Sequence, residues 1–331
     1  MIGKQKSQLS ILDSAFSART KHSRTDKLLH KIDTFVNWDS LESICLSMYT
    51  DSRRGRPSLP IVFGLKCLIL QYLYNLSDPA LEDALIDRLS FQRFLGISFD
   101  TEIPDFTTIW RFRERLVKAG LLEKIFNDVL KQLDKRNVIL RKGTLVDATL
   151  VQAARKKHKH TRRDDESGQS SQQDHDASGT QKGGKAYYGY KGHISADEGS
   201  NIIRRVRFTT ASVHDSRELD NLLCGDEQSV FADKAYANDS TKRMMRQDGI
   251  YYGILDKGRR GRPKLSGKQK KTNTCKSRVR NAVERPFAHF KKHMGYRTVR
   301  YVNLKRNELQ FVFLCFIHNI RRGITLTAST T

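Results

Sequence analysis

Glu284 is the one acid between Lys257 and Arg300, a stretch that carries sixteen lysines and arginines. Val283, Phe287, Phe290 and Met294 recur around it at helical spacing, so residues 277–300 read as a helix with an apolar stripe. At about 100° per residue, Arg280, Glu284 and Lys291 fall within roughly 60° of one another beside that stripe. On a solvated helix, a carboxylate between two cations is ordinarily an ion pair of little consequence. Two further acids change that reading. Asp147 stands in the middle of the apolar run TLVDATLV, and Asp233 ends the short apolar run in VFADKAY. A carboxylate inside a buried strand is costly unless something positive compensates it. Three carboxylates brought to one point need cations, and hard oxygen donors select Mg²⁺ or Mn²⁺. Two such ions about 3.5–4 Å apart activate a water or a 3′-hydroxyl and stabilise the leaving oxygen in phosphodiester transfer. In that chemistry the carboxylates are metal ligands, not general acid and base. A zinc reading built on His289 and His293, spaced for one helix face, lacks a third ligand nearby.

The elements that must position these acids follow from the pattern of the chain. Residues 1–140 read as all-helical. Helical patterns cover 27–36 and 41–49, and an apolar helix follows Pro60 to residue 74. Asp78 is read as an N-cap with Pro79 at the first helical position. A short helix ends at Gly96, TTIWRFRERLVKAG ends at Gly120, and an amphipathic helix covers 121–135. Arg111, Arg113 and Arg115 on TTIWRFRERLVKAG are candidate phosphate contacts.

From residue 141 the character changes. A strand around Asp147 precedes a polar stretch at about 153–185, read as a flexible insertion. A hairpin covers 188–211, then come a short helix, a strand ending at Asp233, a helix capped by Asn238 and a fifth strand at 250–255. A basic loop over 257–275 leads to the Glu284 helix, and a last apolar helix covers 308–321. Strand, hairpin, helix, strand, helix, strand, helix matches an RNase H-like order. There the first and fourth strands lie side by side and a helix crosses near their ends. The expected fold is therefore α/β, with an all-helical N-terminal domain (1–140) before an RNase H-like mixed-sheet catalytic domain (141–331).

Composition narrows the partner. The 331 residues carry 60 Lys and Arg against 36 Asp and Glu, a formal charge of +24. An excess that large, interleaved with folded segments, points to a nucleic acid. No apolar run is long enough to span a bilayer, and no leader is read at the start. Five scattered cysteines without metal or redox spacing fit a reducing cytosol.

The motifs LVDAT, VFADKAY and RNAVERPFAHFKKHMGYRTVRY resemble the three acidic motifs of DDE insertion-sequence transposases. GRPSLP, NLSDPALEDALIDRLSFQRFLGI and PDFTTIWRFRERL resemble the front of the insertion-sequence-five family, and GYKGHISAD and TTASVHDSREL its middle. Arg280, Glu284 and Lys291 match that family's glutamate motif, while Ser277 stands where the family has tyrosine. The resemblance, covering about residues 53–322, implies a transposase that binds the terminal inverted repeats of its element as double-stranded DNA and joins their 3′ ends to target DNA. It implies two Mg²⁺ or Mn²⁺ ions held by Asp147, Asp233 and Glu284, with Arg280 and Lys291 holding phosphates. The helical front would read the repeats, as a homodimer or higher on DNA, in a prokaryotic cytoplasm at the nucleoid. Rival readings are a catalytically silent DNA-binding protein or repressor derived from a transposase, and a structure-specific nuclease on the same fold.

Overall fold

The computed structural model describes residues 22–49, 58–98, 102–155, 173–258, 261 and 264–328. RRGRP at 53–57 and most of the polar insertion lie outside them. The chain divides into two compact units, residues 1–136 with 323–331, and residues 137–322.

The first unit is built from helices α1 (Arg24–Phe35), α2 (Trp38–Cys45), α3 (Ile61–Leu73), α4 (Asp78–Asp87), α5 (Leu89–Leu95), α6 (Phe106–Ala119) and α7 (Leu122–Asp134). α3 is buried almost all round, which its apolar composition requires. Its one cation, Lys66, is satisfied by Asp33 at 2.7 Å and the Phe94 carbonyl at 2.9 Å. The cap of α4 differs from the expectation. Ser77 is the N-cap, accepting from the Ala80 amide, and the Asp78 carboxylate pairs with Arg113 instead. Asp105 caps α6 through the Thr108 amide, and Gly120 ends it at φ 64°, where a side chain would be strained.

The second unit is a mixed sheet with helices on both faces. Its strands are β1 (Thr144–Gln152), β2 (Ser178–Lys182), β3 (Lys185–Asp197), β4 (Ile203–Thr210), β5 (Ser229–Phe231) and β6 (Tyr251–Tyr252). β4 pairs with β3, β3 with β1, β1 with β5 and β5 with β6, the last two pairings parallel. That is the RNase H-like strand order. β2 is an addition and a correction: the end of the expected flexible insertion pairs with Lys185–Gly189 of β3, turning through Gly183 and Gly184 at positive φ.

The two faces of β1 bury different partners. Val146 joins Leu219, Leu222, Val230, Ala232, Tyr236, Met245 and Ile254 in one core. Residues two apart share a face, so Asp147 and Thr149 look the other way. Thr149 pairs with Gly192 of β3, and Gly192 lies directly beneath the ring of Phe311 on the last helix, α12 (Leu304–Thr327, after α8 to α11 below).

Between these come α8 (Leu219–Leu222), α9 (Asp239–Gln247, capped by Asn238), α10 (Gly267–Arg280) and α11 (Glu284–His293). The basic segment read as a loop to residue 275 is helical from Gly267, because Ser266 and Gln269 form a capping box. The single helix expected over 277–300 is instead three pieces: the end of α10, a 3-10 turn at Asn281–Val283, and α11. The chain leaves α11 through Gly295 at φ 63°, and Thr298 then bridges to Gln152 at the end of β1.

Candidate catalytic site

β1 and β5 run parallel with Thr144 opposite Val230 and Leu145 opposite Phe231. Two residues past that pairing stand Asp147 and Asp233, near enough that the charge of Asp233 acts on the Asp147 carboxyl. Strand pairing stops at Phe231 because Asp233 turns to cap a 3-10 turn, its Oδ1 accepting from the Lys234 amide at 2.7 Å. Asp147 is held likewise, its Oδ1 accepting from the Ala148 amide at 2.9 Å.

Glu284 begins α11, where a carboxylate favours the positive end of the helix. Val283, Phe287, Phe290 and Met294 are buried, as the apolar stripe requires, and they fix the helix that carries it. Arg280 joins the two acids: Nη1 donates to Asp147 Oδ2 at 3.3 Å, and Nη2 to Glu284 Oε1 at 2.7 Å. Glu284 remains 58% exposed, whereas Asp147 and Arg280 are 19% and 14% exposed, so the site opens to solvent on the glutamate side.

Burial pushes the Asp147 carboxyl up to about 6. The Ala148 amide, Arg280 and Lys182 work against that rise, and Asp233 adds to it. Burial also lowers Lys291, helped by Lys182 and opposed by Asp147, so Lys291 feels the first acid across the site. Lys182 was missed by sequence reasoning, since it lies in a stretch that reads as insertion and only the β2 pairing brings its charge here.

Behind the acids lies a polar cluster that the motifs GYKGHISAD and TTASVHDSREL carried without a stated role. Lys191 donates to Asp215 at 2.9 Å and to the Val213 carbonyl at 2.7 Å, and His193 meets Thr209 at 2.9 Å. Tyr236, three residues after Asp233, is buried with no hydrogen-bond partner for its hydroxyl among the described residues.

The remaining candidates separate. Arg113 is buried, and both its terminal nitrogens grip Asp78, at 2.7 and 2.9 Å. This corrects the expectation of a phosphate contact there: alternation on a helix turns residue 113 inward while Arg111 and Arg115 stay exposed. Arg115 lies over the Tyr49 ring at 5.4 Å. His289 is packed against Arg321, whose guanidinium takes its Nε2 at 2.9 Å.

Hard oxygen donors at Asp147, Asp233 and Glu284 suit a divalent cation, and the guanidinium already held between two of them marks the place as one that favours positive charge. The metal-type donors that lie within 4.8 Å of one another among the described residues are Cys224, Asp226 and Glu227, and they suit a divalent cation poorly. Asp226 is taken by Arg204 and Arg141, and Glu227 by the amides of Cys224 and Gly225.

Comparison with known proteins gives two family matches, Transposase domain (DUF772) over residues 17–115 and Transposase DDE domain over residues 140–320. Among solved structures, the cryo-EM structure of a piggyBac transposase synaptic complex with hairpin DNA is similar at 11% identity with a TM-score of 0.48, covering 95% of this chain and 77% of that chain. At that distance the likeness decides nothing. In the described residues no helix is long and apolar enough to cross a membrane.

Proposed function

The chain belongs to the Transposase DDE domain family, whose match spans more than half of it, and from that premise we propose that it binds the terminal inverted repeats of its own insertion sequence, cuts DNA there and joins the 3′ ends to target DNA. Asp147, Asp233 and Glu284 hold Mg²⁺ or Mn²⁺. Bound there, the ions supply Lewis-acid activation of the attacking oxygen and neutralise the leaving one. The chain's own residues orient the phosphate: Lys291 approaches from α11 on the side of Asp147, and Lys182 adds positive charge from β2. Exposed Arg111 and Arg115 on α6 serve end binding in the helical unit.

The observation that supports this reading is that Asp147 and Asp233 each stand two residues past the parallel pairing of Leu145 with Phe231, with Glu284 tied to Asp147 through Arg280. Purified protein, a labelled duplex carrying one end of the element, and Mg²⁺ make the test. Asp147→Asn, Asp233→Asn and Glu284→Gln should each abolish cutting and retain binding by gel shift. Substantial cutting by any one of them removes that residue from the site, and cutting by all three sinks the proposal.

A further inference from the structure

The guanidinium of Arg280 sits where two of the three ligand carboxylates face each other. Nη1 is committed to Asp147, Nη2 to Glu284 and to Asn281 Oδ1 at 3.3 Å. Nε is buried with no hydrogen-bond partner among the described residues, so the polar anchors of the side chain are the two acids and Asn281. The attachment is short-range and stiff: Arg280 is the last residue of α10 and Glu284 follows one 3-10 turn later. In this arrangement Asp147 Oδ2 and Glu284 Oε1 are both spent on a monovalent cation.

We propose that Arg280 is a competitor for the metal site built into the protein, which keeps divalent cations weakly bound until a DNA phosphate draws the guanidinium away. This rests on the reading that these acids hold metal. A divalent ion and a guanidinium cannot share the same two carboxylate oxygens, and at contact distance they repel each other. Metal entry at those two oxygens therefore requires Arg280 to leave, and the described residues offer it no acceptor at Nε. A phosphodiester does, since arginine pairs with phosphate through two parallel hydrogen bonds. Each event removes the obstacle to the other. Metal and DNA then tighten each other's binding by the same factor, as linkage demands. Uptake of the ion is thereby confined to protein already on DNA.

The test reads metal affinity directly. Free Mn²⁺ is followed by electron paramagnetic resonance during titration of the full chain without DNA, for wild type, Arg280→Gln, Arg280→Lys and the double variant Arg280→Gln with Asp147→Asn. Arg280→Gln should bind Mn²⁺ about tenfold tighter than wild type, or more. Arg280→Lys, which keeps the charge, should stay near wild type, and the double variant should lose the gain. Affinity in Arg280→Gln equal to or weaker than wild type overturns the proposal, as does absence of Mn²⁺ binding from both. If Arg280→Gln fails to fold by circular dichroism, wild type alone decides. Its Mn²⁺ affinity should rise on adding a duplex of about 30 base pairs, after subtracting uptake by the same duplex mixed with Asp147→Asn protein. No rise overturns the proposal. These outcomes are separate from the cleavage test, where cutting by the acid variants would remove the metal reading itself.

Discussion

Gly192 on β3 and Phe311 on α12 are in contact so close that a Cβ on the glycine would lie 2.3 Å from the ring. The ring has no room to retreat, because Phe208, Phe290 and Tyr296 pack around it with centroids 5.5, 6.1 and 6.0 Å away. Phe290 belongs to α11, the helix that begins with Glu284, and Gly192 pairs with Thr149, two residues from Asp147. The contact therefore lies one strand from Asp147 and one packed ring from the helix that begins with Glu284. Gly192→Ala should destabilise the protein by about 1–3 kcal/mol through overpacking. Because the strain falls on α11, DNA cutting should also fall by on the order of 10-fold at a temperature where the variant is folded. A thermal melt and a cleavage time course check both; a wild-type melt would show that the ring yields.

The helical unit carries a second paired contact with a different consequence. Arg113 is a buried cation whose charge is met by Asp78. Removing one partner of such a pair strands the other, at a cost of roughly 3–5 kcal/mol. Arg113→Ala should therefore lower the melting temperature strongly, whereas Arg111→Ala should change stability by less than about 0.5 kcal/mol and weaken end binding in a salt-dependent way. Equal stability for the two variants would refute the assignment.

His318 and His289 give the protein a sensitivity to acid. Burial lowers both to about 4, with Arg321 adding to the effect on each and Arg322 on His318. A histidine whose folded value is depressed binds fewer protons folded than unfolded, so its contribution to stability is complete above about 6.5 and is lost as pH falls towards 4. A tenfold change in proton affinity is worth about 1.4 kcal/mol, so the buried His318 accounts for roughly 3 kcal/mol across that window. His318→Gln, which keeps a donor for the Asn201 carbonyl, should flatten the fall in melting temperature between about pH 6.5 and 4.5. An unchanged slope would place the acid sensitivity elsewhere.

How much of this was legible in the residues differs from element to element. The strands around Asp147 and Asp233 declared themselves because an acid that breaks an apolar run is costly to bury and so marks a place where charge is needed. The stripe through Val283, Phe287, Phe290 and Met294 gave the buried face of α11. Helical periodicity passes unbroken through Asn281–Val283, however, so the 3-10 turn that brings Arg280 to both acids had no signal. Arg111, Arg113 and Arg115 look alike in a basic amphipathic sequence; only the packing of α4 beside α6 decides which of them turns inward to Asp78. β2 was hidden because Ser178–Lys182 is polar throughout, and its pairing rests on backbone hydrogen bonds to β3 rather than on an apolar face.

The C-terminal residues bear on how the two functions are divided. Residues 323–331 group with the helical unit, and Gly323 is packed so tightly that a Cβ there would lie 2.4 Å from Leu133 and 2.8 Å from Phe35. Leu133 is fully buried, and the Phe35 ring also carries the Arg136 guanidinium at 4.1 Å. A fragment ending near Arg141 lacks this covering segment and exposes both side chains. Its α7 amides should therefore exchange with solvent faster than in the full chain, by roughly tenfold or more, because local opening now costs less apolar burial. The fragment should still prefer repeat DNA to random DNA once shown to unfold cooperatively, since base readout needs a rigid helix and not the acidic site. Unchanged exchange would mean that residues 323–328 add nothing to the unit. Equal binding of repeat and random DNA by the folded fragment would move recognition to the basic segment at 257–275.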